Sequence, residues 1–305
     1  MRHFARSVAA FALAGTLTAC ASETPDEAGA LHIFATTGYL ADAAANLAPN
    51  AEVTTMVGPG GDPHTYQPST KDIEAMRDAD VVLWNGLHLE AQMIDQLEAM
   101  GEKQLAVGEH VDQDELLPWP AEGTNGEQLF DPHIWNSPTL WTQAVDAIGD
   151  KLAEIDPTRA GEYDAAAQDY SAQISTAAQD AEAMLDDASP RILITGHDAF
   201  NYFGQTFNFE VHATDFVTTE AAKSPTEISQ LADTIAEHKV PVIFQDNQAN
   251  PQAITALQEA VNSRGWHVEI SDQELFADTL GPTAPTDTYL GAFEHNARAV
   301  AEALD

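Results

Sequence analysis

The chain is poor in cations: 12 lysines and arginines stand against 49 aspartates and glutamates, a formal charge of −37. That balance excludes a nucleic-acid ligand, because phosphate backbones are held by Lys and Arg. There is one cysteine, Cys20, so no disulfide can form within the chain. No apolar run reaches the roughly 20 residues that a membrane-spanning helix needs. Hydrophobic types still make up 44% of the chain, so the acidity does not mark a sequence unable to build a core. The acidity itself has two readings, a field that favours the approach of cations or adaptation to a saline or wall-rich environment.

The first residues set the compartment. Arg2 and Arg6 precede the short apolar run Val8 to Leu17, the layout of a secretion signal. The run ends in Leu17-Thr18-Ala19-Cys20, which resembles the bacterial lipobox, where the cysteine thiol receives a lipid. An ordinary cleaved signal beside a chance cysteine is the alternative. Loss of residues 1–19 removes two arginines and no acid, so the charge moves from −37 to −39. Ala21 to Ala30 are small, polar and acidic, as in a flexible tether.

The remainder is long enough for two lobes with their own cores. In the first half, Leu31–Ala35, Glu52–Val57, Val81–Trp84 and Gln104–Val107 read as short strands, with helices around Ala41–Leu47, Thr70–Asp78 and Ala91–Met100. The second half repeats the rhythm with strands at Arg191–Thr195, Phe209–Ala213, Val242–Phe244 and His267–Ile270. Its helices are expected at Ala199–Thr206, Thr226–His238 and Pro251–Ser263. Such alternation predicts an α/β fold with parallel-rich, four-stranded sheets.

Between the halves, Trp141, Val145, Ile148, Leu152 and Ile155 share one helical face. A second periodic row, Tyr163, Ala167, Tyr170, Ile174, Ala178, Ala181 and Leu185, predicts a long helix over Thr158 to Asp187. It reads either as a rigid spine between two lobes or as a coiled-coil segment for a partner. The direct return of strand-helix alternation favours the spine. The organisation expected is a signal peptide at 1–19, a lipidated tether at 20–30, a first lobe at 31–156, a spine helix at 157–187 and a second lobe at 188–305.

Three histidines fall where ligands bind in open parallel sheets, at the carboxyl ends of strands. His64 lies in Gly61-Asp62-Pro63-His64-Thr65-Tyr66-Gln67-Pro68, and His133 repeats the triplet in Asp131-Pro132-His133-Ile134-Trp135. Proline fixes the backbone before each histidine, and Asp62 and Asp131, with Asp198 and Asp246 in the second half, are placed to support the imidazoles. His197 follows a buried strand in Gly196-His197-Asp198-Ala199, and Asp278 follows the last strand in Phe276-Ala277-Asp278-Thr279-Leu280. Three imidazoles and one carboxylate suit a borderline divalent ion, and without a thiolate monovalent copper is disfavoured. His32, His88, His110, His212, His238, His267 and His295 lack paired ligand spacing. His88 is expected to make a local polar contact with Glu90.

These segments, with Asn85 to Glu90, Asp156-Pro157 and Asp287-Thr288-Tyr289-Leu290, give the chain a family likeness over nearly its whole mature length. It resembles the metal-specific solute-binding lipoproteins of bacterial ABC importers, the cluster A-I receptors for zinc and manganese that include streptococcal adhesins. The resemblance implies metal ligation by His64 and His133 from one lobe and His197 and Asp278 from the other. It implies as partners an ABC permease and its cytoplasmic ATPase, and a monomer lipid-anchored through Cys20 on the extracytoplasmic face of the cell membrane. Adhesion would be an added role. Two departures stand out: Asp112 to Gln128 is acidic and lacks the histidines that many zinc receptors carry there, and Asp246 occupies the place of a family glutamate.

Three imidazoles favour Zn2+ as cargo, while a bidentate Asp278 would accommodate Mn2+, with Fe2+ as a further alternative. A metallohydrolase is the competing class, with Asp278 as general base and Asp198 or Asp246 assisting. The chain has no His-Glu-x-x-His helix and no nucleophile motif, so it is expected not to be an enzyme.

Overall fold

The computed structural model describes residues 30–122, 126, 128–218, 223–247 and 250–305. Residues 1–19, Cys20 and the tether as far as Gly29 lie outside the described residues. Among those described, no helix is long and apolar enough to cross a membrane.

The first half is built on four parallel strands, β1 (His32–Ala35), β2 (Glu52–Thr55), β3 (Val81–Trp84) and β4 (Gln104–Ala106), in the order β2-β1-β3-β4. Every residue of β3 is buried, as its unbroken Val-Val-Leu-Trp run requires of a central strand. Helix α1 (Gly38–Leu47) begins where the Thr37 hydroxyl accepts the Leu40 N–H. Helix α2 (Thr70–Asp78) begins at a reciprocal Ser69/Asp72 capping box. The helix expected over 91–100 contracts to α3 (Ile94–Glu98), because Met93 takes a non-helical backbone and nothing caps the start. The proline-rich stretch after β4 had given no strand signal, yet β5 (Pro118–Glu122) and β6 (Gln128–Phe130) pair antiparallel and deliver the chain to Asp131.

Helix α4 (Pro138–Ile155) leads through a short 3-10 turn at Pro157–Arg159 into α5 (Ala160–Met184). Asp156 organises that junction, accepting the Thr158 N–H at 3.2 Å and the Arg159 Nε at 2.6 Å. The spine is therefore a 25-residue helix, about 37 Å long, rather than the full expected span. Its buried stripe is Tyr163, Ala167, Tyr170, Ile174, Ala177 and Ala181, with Ala177 in the place expected for Ala178. α4, α1 and the last helix, α9 (Tyr289–Leu304), pack on α5 within the same chain, which removes the need for a coiled-coil partner.

Among the described residues the second half carries four strands as two parallel pairs, β7 (Ile192–Thr195) with β8 (Glu210–Ala213) and β9 (Val242–Ile243) with β10 (Glu269–Ile270). The Phe244 N–H donates to the Ile194 carbonyl at 2.8 Å and ties the pairs together. Helices α6 (Asn201–Phe207), α7 (Pro225–His238) and α8 (Pro251–Ser263) complete the layers. α9 returns to the spine, so one apolar core runs from Leu31 through α4 and α5 to Leu304. Smaller clusters lie beneath α7 and α8 and beneath α2 and α3.

Candidate metal centre

Four separate connections bring their side chains to one buried point between the two sets of strands. His64 sits on the connection from β2 to α2, where Asp62 accepts the His64 N–H at 2.9 Å and the Thr65 hydroxyl at 2.8 Å. His133 follows β6, and Asp131 holds it twice, accepting its N–H at 3.0 Å and facing its Nδ1 at 2.6 Å. His197 follows β7, its N–H donating to Asp246 at 2.7 Å and its carbonyl accepting from Thr195 Oγ1 at 2.8 Å.

Asp278 lies beyond β10 on a segment held residue by residue. Asn296 of α9 both accepts the Phe276 N–H and donates to the Phe276 carbonyl, each at 2.9 Å. The Ala277 N–H donates to Asn247 at 3.0 Å, and the Ala277 carbonyl accepts the Trp135 indole N–H at 2.7 Å. Trp135 stacks on Tyr39 at 5.0 Å and stands edge-on to His133 at 5.3 Å.

The result is a compact set of donors. His133 Nε2 lies 3.3 Å from His64 Nε2 and 3.2 Å from His197 Nε2. The Asp278 oxygens lie 3.6 Å from His64 Nε2 and 3.3 Å from each of the other two. Nitrogens at 2.0–2.1 Å from a tetrahedral zinc stand about 3.3–3.4 Å apart, and His133 Nε2 lies at 3.2–3.3 Å from each of the other three residues. All four residues are at most 2% exposed. The Asp278 oxygens accept no well-formed hydrogen bond; their polar neighbours are the three imidazole nitrogens at 3.3–3.6 Å, and a buried carboxylate so placed calls for a cation.

The electrostatics divide the three imidazoles. Burial pushes the His64 imidazole down to about 3, Asp278 resisting and the two neighbouring imidazoles assisting. Burial also opposes charge on His133, but Asp131 and then Asp278 outweigh it and push that group up to about 10. On His197 the balance of burial against Asp278 ends in a raised value. Burial opposes the charge of Asp278 too, yet His197 and His133 hold it well below the usual carboxylate range.

The four carboxylates expected to support the imidazoles act in three ways. Asp131 touches a ring, whereas Asp62 and Asp246 hold backbone N–H groups. Asp198 acts through Asn201, whose Nδ2 lies 3.0 Å from both Asp198 and Asp131. Glu90 does not serve His88 as expected: its carboxylate accepts from the Thr36 hydroxyl at 2.6 Å and from the Asn85 and Gly86 N–H groups at 2.8 and 3.2 Å. Asn85 in turn donates to the Pro132 carbonyl at 2.9 Å, so the Asn85–Glu90 segment positions His133. Asn201, Asn247, Asn296 and Trp135 carried no sequence signal of their own. Of the other histidines, His32 and His212 pair with Glu52 and Glu210 at the surface, and His295 meets the Glu274 carbonyl.

Comparison with known proteins agrees with this arrangement. Residues 33–303 match the family described as zinc-uptake complex component A, periplasmic. The chain is 34% identical to the manganese-binding lipoprotein MntA of Bacillus subtilis over 303 residues, covering 97% of this chain and 96% of that one. It is 33% identical over 276 residues to the zinc-binding protein TroA of Treponema pallidum, covering 89% and 88%. The solved TroA structure superposes with a TM-score of 0.83 at 32% identity, over 90% of this chain and 99% of the other. A buried His3Asp cluster on this fold, over this length of likeness, leads to one conclusion: the chain belongs to the zinc-uptake component A family of periplasmic metal-binding receptors, which are not enzymes.

Proposed function

We propose that His64, His133, His197 and Asp278 hold one divalent transition metal ion, and that the chain delivers it to an ABC permease driven by a cytoplasmic ATPase. In this reading the ion lies between a first lobe at 31–156 and a second at 188–305, with 157–187 as the spine, and lipidated Cys20 anchors a monomer to the extracytoplasmic face. The observation that carries it is the convergence of three imidazole nitrogens on one buried carboxylate, with His133 at 3.2–3.3 Å from each of the other three residues, the spacing of ligands around a tetrahedral ion.

Zinc is the favoured cargo, because three imidazoles form the softer, nitrogen-rich set it takes. A specific observation supports manganese as the second reading: both Asp278 oxygens face the ligand cluster, Oδ1 toward His133 and Oδ2 toward His64 and His197, so bidentate coordination is open to a larger ion. The name of the MntA relative points the same way. Affinity alone does not separate the two, since zinc binds such a site more tightly in general. Metal content of protein purified without added metal, combined with uptake by a strain lacking the chain, is the test. One equivalent of zinc and impaired zinc uptake are expected; manganese recovery with zinc-independent growth would reverse the assignment.

A further inference from the structure

We infer that Thr279 is a positioning residue whose hydroxyl ties the His64 connection to the Asp278 segment across the cleft. The inference rests on the four-ligand reading above and adds a residue outside it. Thr279 is 1% exposed, and its Oγ1 accepts the Gly60 N–H at 3.1 Å and the Asn247 side-chain N–H at 2.6 Å. Asn247 fastens the same segment at two more points, donating to the Thr279 carbonyl at 2.9 Å and accepting the Ala277 N–H at 3.0 Å. The hydroxyl is thus fixed in space from the second half, and the backbone donor it receives belongs to the first.

The position of that donor gives the contact its effect. Gly60 lies four residues before His64, at φ +74, a left-handed conformation that glycine holds without strain. Gly58, Pro59, Gly60 and Thr65 are exposed, whereas the backbone around His133, from Asp131 to Pro138, is buried throughout. The neighbourhood of His64 therefore borders solvent, and a tie from this loop to the residue after Asp278 fixes the separation of those two ligands. One hydroxyl, placed beside one ligand and bonded to the loop of another, sets how long the chelate stays closed.

The experiment compares metal release from wild type, Thr279→Val, Thr279→Ser and His64→Ala, using zinc loaded one-to-one and captured by a chromophoric chelator. Thr279→Val removes the acceptor of both the Gly60 N–H and the Asn247 side chain, and loss of the tie to Gly60 is expected to speed release about three- to tenfold, with Thr279→Ser restoring it. A melting temperature measured on the metal-free variants separates ligand positioning from general weakening. Wild-type release in Thr279→Val overturns the inference, as does a variant that loses metal-free stability without faster release. If Thr279→Val does not fold, hydrogen exchange at the Gly60 amide of the zinc-loaded wild type decides: slow exchange supports the tie and fast exchange overturns it. His64→Ala keeps the two questions apart, since unaltered zinc binding there would remove the ligand assignment itself.

Discussion

Replacing His64 or His197 by alanine is expected to abolish most of the rise in melting temperature that zinc gives the wild type. A ligand that binds only the folded state stabilises it by mass action, about 2.7 kcal/mol at a hundredfold excess over the dissociation constant, or roughly 5–10 °C for a chain of this size. Loss of one of four ligands costs more affinity than the roughly 10–100-fold that removal of an outer partner costs. The shift then falls to about 2 °C or less at the same zinc concentration. His238→Ala, at the end of α7, is expected to keep the full shift. Wild-type shifts in both site variants would show that the ion binds elsewhere.

The same shift depends on pH, with a sign set by His133 and His197. Both have raised values in the folded, metal-free protein, so their protons compete with the ion at neutral pH. Groups of this kind add stability to the metal-free state that is fully present below their unfolded value and is lost as pH rises through the folded one. Lower pH therefore favours the protonated, metal-free form, and the zinc-induced shift shrinks as pH falls from 8 to 6. His64, pushed down by burial, is neutral across that range and does not compete.

The second large effect is expected at Trp135, whose replacement by alanine is expected to destabilise the metal-free protein by about 3–5 kcal/mol. The indole is 2% exposed, stacks on Tyr39 and donates to the Ala277 carbonyl, and its own carbonyl accepts the Tyr289 hydroxyl at 3.1 Å. Tyr39 approaches the Phe276 and Ala277 carbonyls at 3.2 and 3.3 Å, so both rings brace the segment that ends in Asp278. Trp135→Phe keeps most of the apolar contact and is expected to lose about 1 kcal/mol, from the indole hydrogen bond to an Ala277 carbonyl that Tyr39 still reaches at 3.3 Å. Denaturant unfolding of the metal-free variants measures both. Equal stability of Trp135→Ala and wild type would show that the indole does not bridge the halves.

These contacts also bear on cargo release. Asn136 donates to the Ala199 carbonyl at 2.9 Å, Tyr202 donates to the Asp131 carbonyl at 2.9 Å, and Trp135 reaches Ala277, all across the cleft and all buried. A wide hinge opening would break every one of them and expose the core shared through α5 and α9. Small displacements of the ligand-bearing connections are the less costly route to weakening the chelate.

Much of the site was legible because its signals are local. The repeated Asp-Pro-His triplet marks His64 and His133, and the carboxyl end of an unbroken apolar strand marks His197. Asp278 carries a weaker mark, its place after the last strand, which the family likeness then supports. The strands of the first sheet were readable from apolar runs, with ends moved by a residue or two, but the β5/β6 hairpin was hidden by prolines in Pro118-Trp119-Pro120. Of the supports, Asp62 and Asp131 were legible in the triplets, whereas the asparagines were not. Asn247 and Asn296 act over 30 and 20 residues of chain, and a lone asparagine in a sequence does not say which backbone it will meet. Asp131 and Asp62 show a related limit, since identical triplets give the same backbone contact and at Asp131 a ring contact is added.

The most direct test of the centre is X-ray absorption at the zinc edge of the one-to-one complex. Coordination by His64, His133, His197 and Asp278 requires three imidazole nitrogens and carboxylate oxygen at about 2.0–2.2 Å, with one imidazole fewer in His197→Ala. A shell with fewer than three imidazoles in the wild type, or an unchanged shell in the variant, would contradict it.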